Sequence, residues 1–289
     1  MAHAELLFDA KTTLGEGPVW DWKRQLLFWV DIEGKQLHCH NPANGKNTNW
    51  SFDEMVGAAV PMNNGNLLMA LESGMAEFGI ESGKLAAMGL LANSDPEMRF
   101  NDGKVSPNGH FWIGSMHKKF YPKSGNLHRV SKNRHTAVLV RETTISNGMA
   151  WTADRKTFYY IDSPTFQVMA FDFDTSTDSL SNQRVAFTVP NDYGSPDGMC
   201  IDIENKLWIG HWGGNQVRRW DPDTGNVLES VWVEAPHVTS CCFGGKQLDS
   251  LYITTARSGL NKAELKQFPL SGGLFMYRPK VSGTPIDYF

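Results

Sequence analysis

The 289-residue chain is poor in cysteine, with Cys39, Cys200, Cys241 and Cys242 alone. They form no paired framework, and two are adjacent in an apolar run. A disulfide scaffold is excluded, and the four read as buried, reduced thiols of a cytoplasmic protein. No Cys/His pair has zinc-finger spacing, which removes a structural thiolate zinc site. Basic blocks are missing too: 27 Lys and Arg stand against 31 Asp and Glu, for a net charge of −4. That excludes nucleic acid as a main partner. No apolar run approaches the ~20 residues of a membrane-crossing helix. The first residues lack the basic-then-apolar order of a secretory leader, so neither a membrane nor export is expected. A Gly-x-Ser-x-Gly elbow is absent, which disfavours a serine hydrolase. No Gly-x-Gly-x-x-Gly opens a helix after a strand, which disfavours a dinucleotide cofactor.

What is present is a repeat. Ser195-Pro196-Asp197-Gly198-Met199-Cys200-Ile201-Asp202 leads through a turn into Leu207-Trp208-Ile209-Gly210. The pattern recurs at Leu14-Gly15-Glu16-Gly17, Asn101-Asp102-Gly103 and Ser146-Asn147-Gly148, each followed by a second apolar run. Weaker copies start at Val56-Gly57 and Val238-Thr239. Equivalent positions Glu16, Val56, Asp102, Asn147, Asp197 and Thr239 are separated by 40, 46, 45, 50 and 42 residues. Such periods, with four short strands per unit, predict an all-β fold: a six-bladed β-propeller with four antiparallel strands per blade. In the fourth unit the strands are expected at 148–151, 157–161, 167–173 and 184–189. The sixth unit is one strand short, and the N-terminal run Ala4–Phe8 is expected to close the ring, removing exposed sheet edges. Residues 1–289 then form one domain. The only helix expected is Leu260–Gln267. Ten Trp and sixteen Phe supply a large core, and 27 Gly supply turns.

In a propeller the first strand of each blade lines the central channel. Glu16, Asn147 and Asp197 occupy one register, with Asp102 and its neighbour Asn101 at the third-blade equivalent. Asn or Asp before Gly is by itself a turn former, but four copies at one register bring oxygen ligands to one axis. Carboxylate and amide oxygens suit a hard divalent cation.

Gly15-Glu16-Gly17-Pro18-Val19-Trp20, Arg99-Phe100-Asn101-Asp102-Gly103-Lys104, Ser146-Asn147-Gly148 and Pro196-Asp197-Gly198-Met199 resemble the motifs of the regucalcin/gluconolactonase (senescence marker protein) family over nearly the whole chain. The stretch from Cys242-Phe243-Gly244-Gly245 to Gly273-Leu274-Phe275 is similar to its bacterial sugar-lactonase branch. The resemblance implies a six-bladed propeller that hydrolyses aldonolactones with one divalent metal. It implies Glu16, Asn147 and Asp197 as metal ligands and Asp197 as general base. Arg99 and Asn101 would face the substrate. His117 stands where mammalian relatives carry an acidic residue, and could bind a sugar hydroxyl. The oxygen ligands favour calcium, with magnesium, manganese, zinc and ferrous iron as further candidates for an open site. Two other readings compete: a related propeller hydrolase of other esters or phosphotriesters, and a non-enzymatic calcium-binding propeller. The polar set Arg99, Asn101 and His117 suits a polyol, which favours the sugar lactone as partner.

Overall fold

The computed structural model describes residues 2–289. The chain is all-β and takes a β-propeller arrangement. Six strands, Gly15–Asp21, Val56–Pro61, Met98–Val105, Ser146–Trp151, Ser195–Ile201 and His237–Gly244, stand side by side. Each packs against the next, and the last returns to the first. These are the innermost strands, and the sequence suits them to the crowded axis. Val56-Gly57-Ala58-Ala59-Val60-Pro61 is buried throughout, whereas the outermost strand of its sheet, Lys84–Ala87, is exposed throughout.

Four sheets are separate and four-stranded, each built by antiparallel pairing outward from its inner strand. Among the described residues the remaining nine strands form one hydrogen-bonded sheet instead of the two separate blades that the periodicity predicts. Its two halves join at a single pair, Trp212 opposite His237, whose rings stack at 3.9 Å. The N-terminal strand Glu5–Phe8 pairs antiparallel with Leu274–Tyr277, in the place expected for it. Ala2–His3 then adds an unanticipated parallel pair with Asn226–Trp232. The expected helix is shorter, Lys262–Gln267, and starts at an Asn261–Glu264 capping box.

Aromatic rings fill the seams between sheets. Phe78 meets Trp50 and Phe52, Trp112 meets Trp151 and Phe158, and Phe187 stacks on Trp220. Within the nine-stranded sheet Trp208 packs edge-on to Phe243, and Trp20 of the first sheet stacks on Tyr252 of the nine-stranded one. Burying such rings is a major part of the fold's stabilisation. All four cysteines are buried and free.

The C-terminal tail crosses the end of the channel where the inner strands finish. Ile203 donates its N–H to Ser282, and Gly283 to Leu248. Trp22 Nε1 donates to Ile286 O, Tyr288 donates its hydroxyl to Asp21, and Phe289 pairs with Pro61 and Asn63. Beneath this strap lies a cavity of about 250 Å³, lined by Asp102, Lys104, Met149, Cys200, Pro285 and Ile286 among others.

Candidate functional site

Every inner strand is irregular at the register of the predicted site. The pairing with the second strand slips between Glu16 and Val19, Val56 and Ala58, Phe100 and Gly103, Ser146 and Met149, Pro196 and Met199, and Val238 and Ser240. A bulge re-aims the side chain it carries, and here all six lie on one ring. Glycine follows because the strands approach closely. A Cβ on Gly148 would stand 2.7 Å from Asp197 O, and one on Gly198 would stand 2.1 Å from Ser240 Oγ.

Other acids pin the segments that enter these strands. Asp31 accepts from the backbone N–H groups of Thr13 and Leu14, just before Glu16. Asp162 does the same for Thr144 and Ile145, just before Asn147. The approach to Asp197 is held differently. Arg218 donates to Tyr193 O at 2.9 Å and lies 4.1 Å over the Tyr193 ring. Behind it, buried His211 accepts from Trp220 Nε1, and burial pulls its pKa down to about 3.

Glu16, Asn101, Asp102, Asn147, Asp197 and Arg99 are all buried. The polar groups interlock. Arg99 donates to Asn101 Oδ1 at 2.6 Å and to Phe100 O at 3.0 Å. Asn101 Nδ2 donates to Asn147 Oδ1 at 3.1 Å and to Ser146 O at 2.9 Å. Asn147 Nδ2 donates to Ser163 Oγ at 2.9 Å, which fixes the orientation of its amide.

The carboxylates are less well served. Glu16 accepts from the Gly17 N–H and Asp102 from the Gly103 N–H. Asp197 Oδ1 and Asp102 Oδ2 are buried without a hydrogen-bond partner among the described residues. Burial, then repulsion from Asp102, pushes the Glu16 pKa up to about 8. Burial, then Glu16 and Asp102, holds Asp197 well above the carboxylate range. Burial raises Asp102, against the opposing pull of Lys104. Arg99 is lowered to about 10 by its own burial, although Glu33, Glu16, Asp197 and Glu72 oppose the shift.

Sequence reasoning thus named five residues that the fold brings together: Glu16, Arg99, Asn101, Asn147 and Asp197. His117 stands apart from them. It pairs with Met98 in the strand, accepts from the Lys119 N–H, and stacks on Tyr121 at 4.2 Å. Asp102 belongs to the buried acids; the sequence placed it in the register of oxygen ligands but gave it no ligand or catalytic assignment of its own. Its signal was its place in the repeat, obscured by Asn101 next to it. Ser163 sits in a short 3-10 turn and had no signal at all.

No group of three or more His, Cys, Asp and Glu side chains among the described residues is arranged to hold a metal. Two carboxylates and an amide do not depend on such a group. Their fit to a cation rests on the unpaired oxygens. A buried carboxylate oxygen without a donor is costly, and three acids facing one another compound the cost. A divalent ion near Glu16, Asn147 and Asp197 would relieve both.

The SMP-30/Gluconolactonase/LRE-like region profile matches residues 14–257. Regucalcin of Danio rerio is 37% identical, over 98% of this chain and 95% of its own length. YvrE of Bacillus subtilis, which bears the provisional name of a sugar lactone lactonase, is 32% identical over 99% of this chain and 98% of its own. A crystal structure of a calcium-binding protein, regucalcin, from Agrobacterium tumefaciens superposes with a TM-score of 0.95 at 27% identity, covering 100% of this chain and 97% of that one.

Proposed function

The chain belongs to the SMP-30/gluconolactonase family, and from that premise we propose that it hydrolyses a sugar lactone to the aldonic acid with one divalent cation. The observation that carries the reading is the buried acid set at the ring's centre, with Asp197 Oδ1 unpaired beside the Arg99–Asn101–Asn147 chain. We also read the nine-stranded sheet as two blades joined at Trp212 and His237, which makes six blades in one domain.

Glu16, Asn147 and Asp197 would hold the cation, with calcium the first choice for oxygen ligands. When bound, it supplies Lewis acidity, polarising the lactone carbonyl and acidifying water. The chain supplies the rest. Ser163 and Asn101 hold the Asn147 amide from both ends. Asp197 Oδ1, without a donor of its own, takes a proton from the attacking water. Water oxygen bonds to the carbonyl carbon, the acyl–oxygen ring bond breaks, and the proton returns to the ring oxygen as a hydroxyl. Arg99 and Asn101 offer hydrogen-bonding groups to the sugar hydroxyls. His117, stacked on Tyr121, is assigned to the outer rim.

The test is acid release from pentono- and hexonolactones and from a lactone without hydroxyls. It uses chelator-stripped protein, then calcium, magnesium, manganese or zinc added back. Hydrolysis of the sugar lactones that chelation abolishes and a divalent ion restores is expected. Full activity in metal-free protein would remove the metal from the mechanism. Preference for the plain lactone would move the reading to a general esterase, and no turnover with metal binding intact would leave a calcium-binding propeller.

A further inference from the structure

The acid set has two cations, one toward each end of the third inner strand. Arg99 lies on one side of Asp102 and belongs to the site just described. Lys104 lies on the other and has no part in that chemistry. Its ammonium crosses the channel from the third inner strand to the fifth and donates to Met199 O, two residues beyond Asp197. It is half-buried and, with Asp102, lines the cavity beneath the C-terminal strap. The other cation lining that cavity, Arg155, is more exposed and is paired with Asp287 at 3.6 Å. Lys104 therefore supplies a fixed positive charge on the cavity side of Asp102, held by Met199 O and not by a carboxylate among the described residues.

We propose that Lys104 is the built-in counter-cation of this set, a positioning residue that stabilises the metal-free channel and weakens its hold on a divalent ion. When ionised, three buried acids facing one another destabilise the closed ring, and a fixed positive charge offsets part of that. The same charge repels an incoming cation. Lys104 favours the ionised forms of both Glu16 and Asp102, as such a charge must. Its bond to Met199 O also ties the strand carrying Asp197 to the strand carrying Asp102. The inference rests on the metal reading above, but half of its test does not.

Lys104→Met keeps the length of the side chain and removes the charge; Lys104→Arg keeps the charge. Both are prepared as the full chain, stripped with chelator, melted, and titrated with calcium by calorimetry. For Lys104→Met the metal-free Tm should fall by about 3–6 °C, while calcium binds about tenfold more tightly. Lys104→Arg should stay near wild type in both. These opposite signs separate the proposal from simple damage, which lowers stability and affinity together. A Lys104→Met protein that folds only with calcium present would also support it. An unchanged metal-free Tm, or calcium affinity that is unchanged or weaker, would overturn it. Should Lys104→Met not fold even with calcium, Lys104→Gln keeps a donor for Met199 O and is judged by the same two readings. A wild-type protein that ignores calcium would sink the metal reading alone, and the metal-free melts would still decide the charge role.

Discussion

Asp197 and Glu16 are both buried carboxylates, yet their surroundings predict different failures. Asp197 keeps one oxygen free of any donor, whereas Glu16 is held by the Gly17 N–H at 2.7 Å. Asp197→Asn preserves size and one ligand oxygen but removes the base. Its kcat should fall by about two to four decades at saturating metal. Glu16→Gln should act through metal affinity and recover much of its activity at high calcium. Near-normal kcat for Asp197→Asn under saturating metal would cancel the base role. At this scale the sequence was informative where a residue type recurred at a fixed place. Register alone drew Glu16, Asp102, Asn147 and Asp197 to one axis, and the family resemblance picked three of them out. Ser163 and Lys104 could not be found this way, because their parts depend on which strands the closed ring sets across from each other.

The inner strand acts as a unit because its bulge and its glycine work together. The bulge turns the polar side chain inward, and the glycine lets the neighbouring strand come close. Gly148→Ala tests that coupling. Its Cβ would meet Asp197 O at 2.7 Å and Met199 Cγ at 2.8 Å. Overpacking of this kind costs about 1–3 kcal/mol, and Tm should drop by about 3–9 °C. Activity should fall more than stability requires, since the displaced backbone carries Asp197. An alanine variant with wild-type Tm and kcat would show that the close approach is dispensable. Strand positions near the axis were legible because their apolar runs are nearly continuous. Outer strands were less so. The fourth sheet's outer strand begins at Ser179 rather than 184 and slips register twice, its polar residues looking like loop. The C-terminal strap was also hidden. Ser282–Phe289 has no periodicity, and its hold comes from backbone bonds and from Tyr288 reaching Asp21.

For the molecule as a whole, the acid set ties stability to pH. In the metal-free protein Glu16 moves from 4.5 to about 8, and Asp102 and Asp197 move in the same direction. The folded chain then holds protons that the unfolded chain releases. This contribution is fully present below pH 4.5 and is lost as pH rises through about 8. His211 has the opposite sign: burial lowers it from 6.5 to about 3, so its contribution is lost as pH falls below 6.5. Between pH 6.5 and about 8 the acids should dominate, and metal-free Tm should decline. Glu16→Gln should flatten that decline, and the Tm gain from calcium should grow across the same window. A metal-free Tm that climbs toward pH 8 in wild type would contradict this account. The ring as a whole was legible because the repeat recurs at one register. The merging of two units into one sheet was not, since it turns on the single Trp212–His237 pair. The joint between Glu5–Phe8 and Leu274–Tyr277 has a consequence during synthesis. The closing strand is made long before its partner, which lies at the far end of the sheet's chain order. Until then the edge of Glu5–Phe8 has no mate, and contacts this distant in sequence make folding slow and leave nascent chains prone to sticking. Moving that strand to the C-terminal side of its partner, through a linker that leaves the Ser282–Phe289 strap in place, should therefore speed refolding and reduce aggregation.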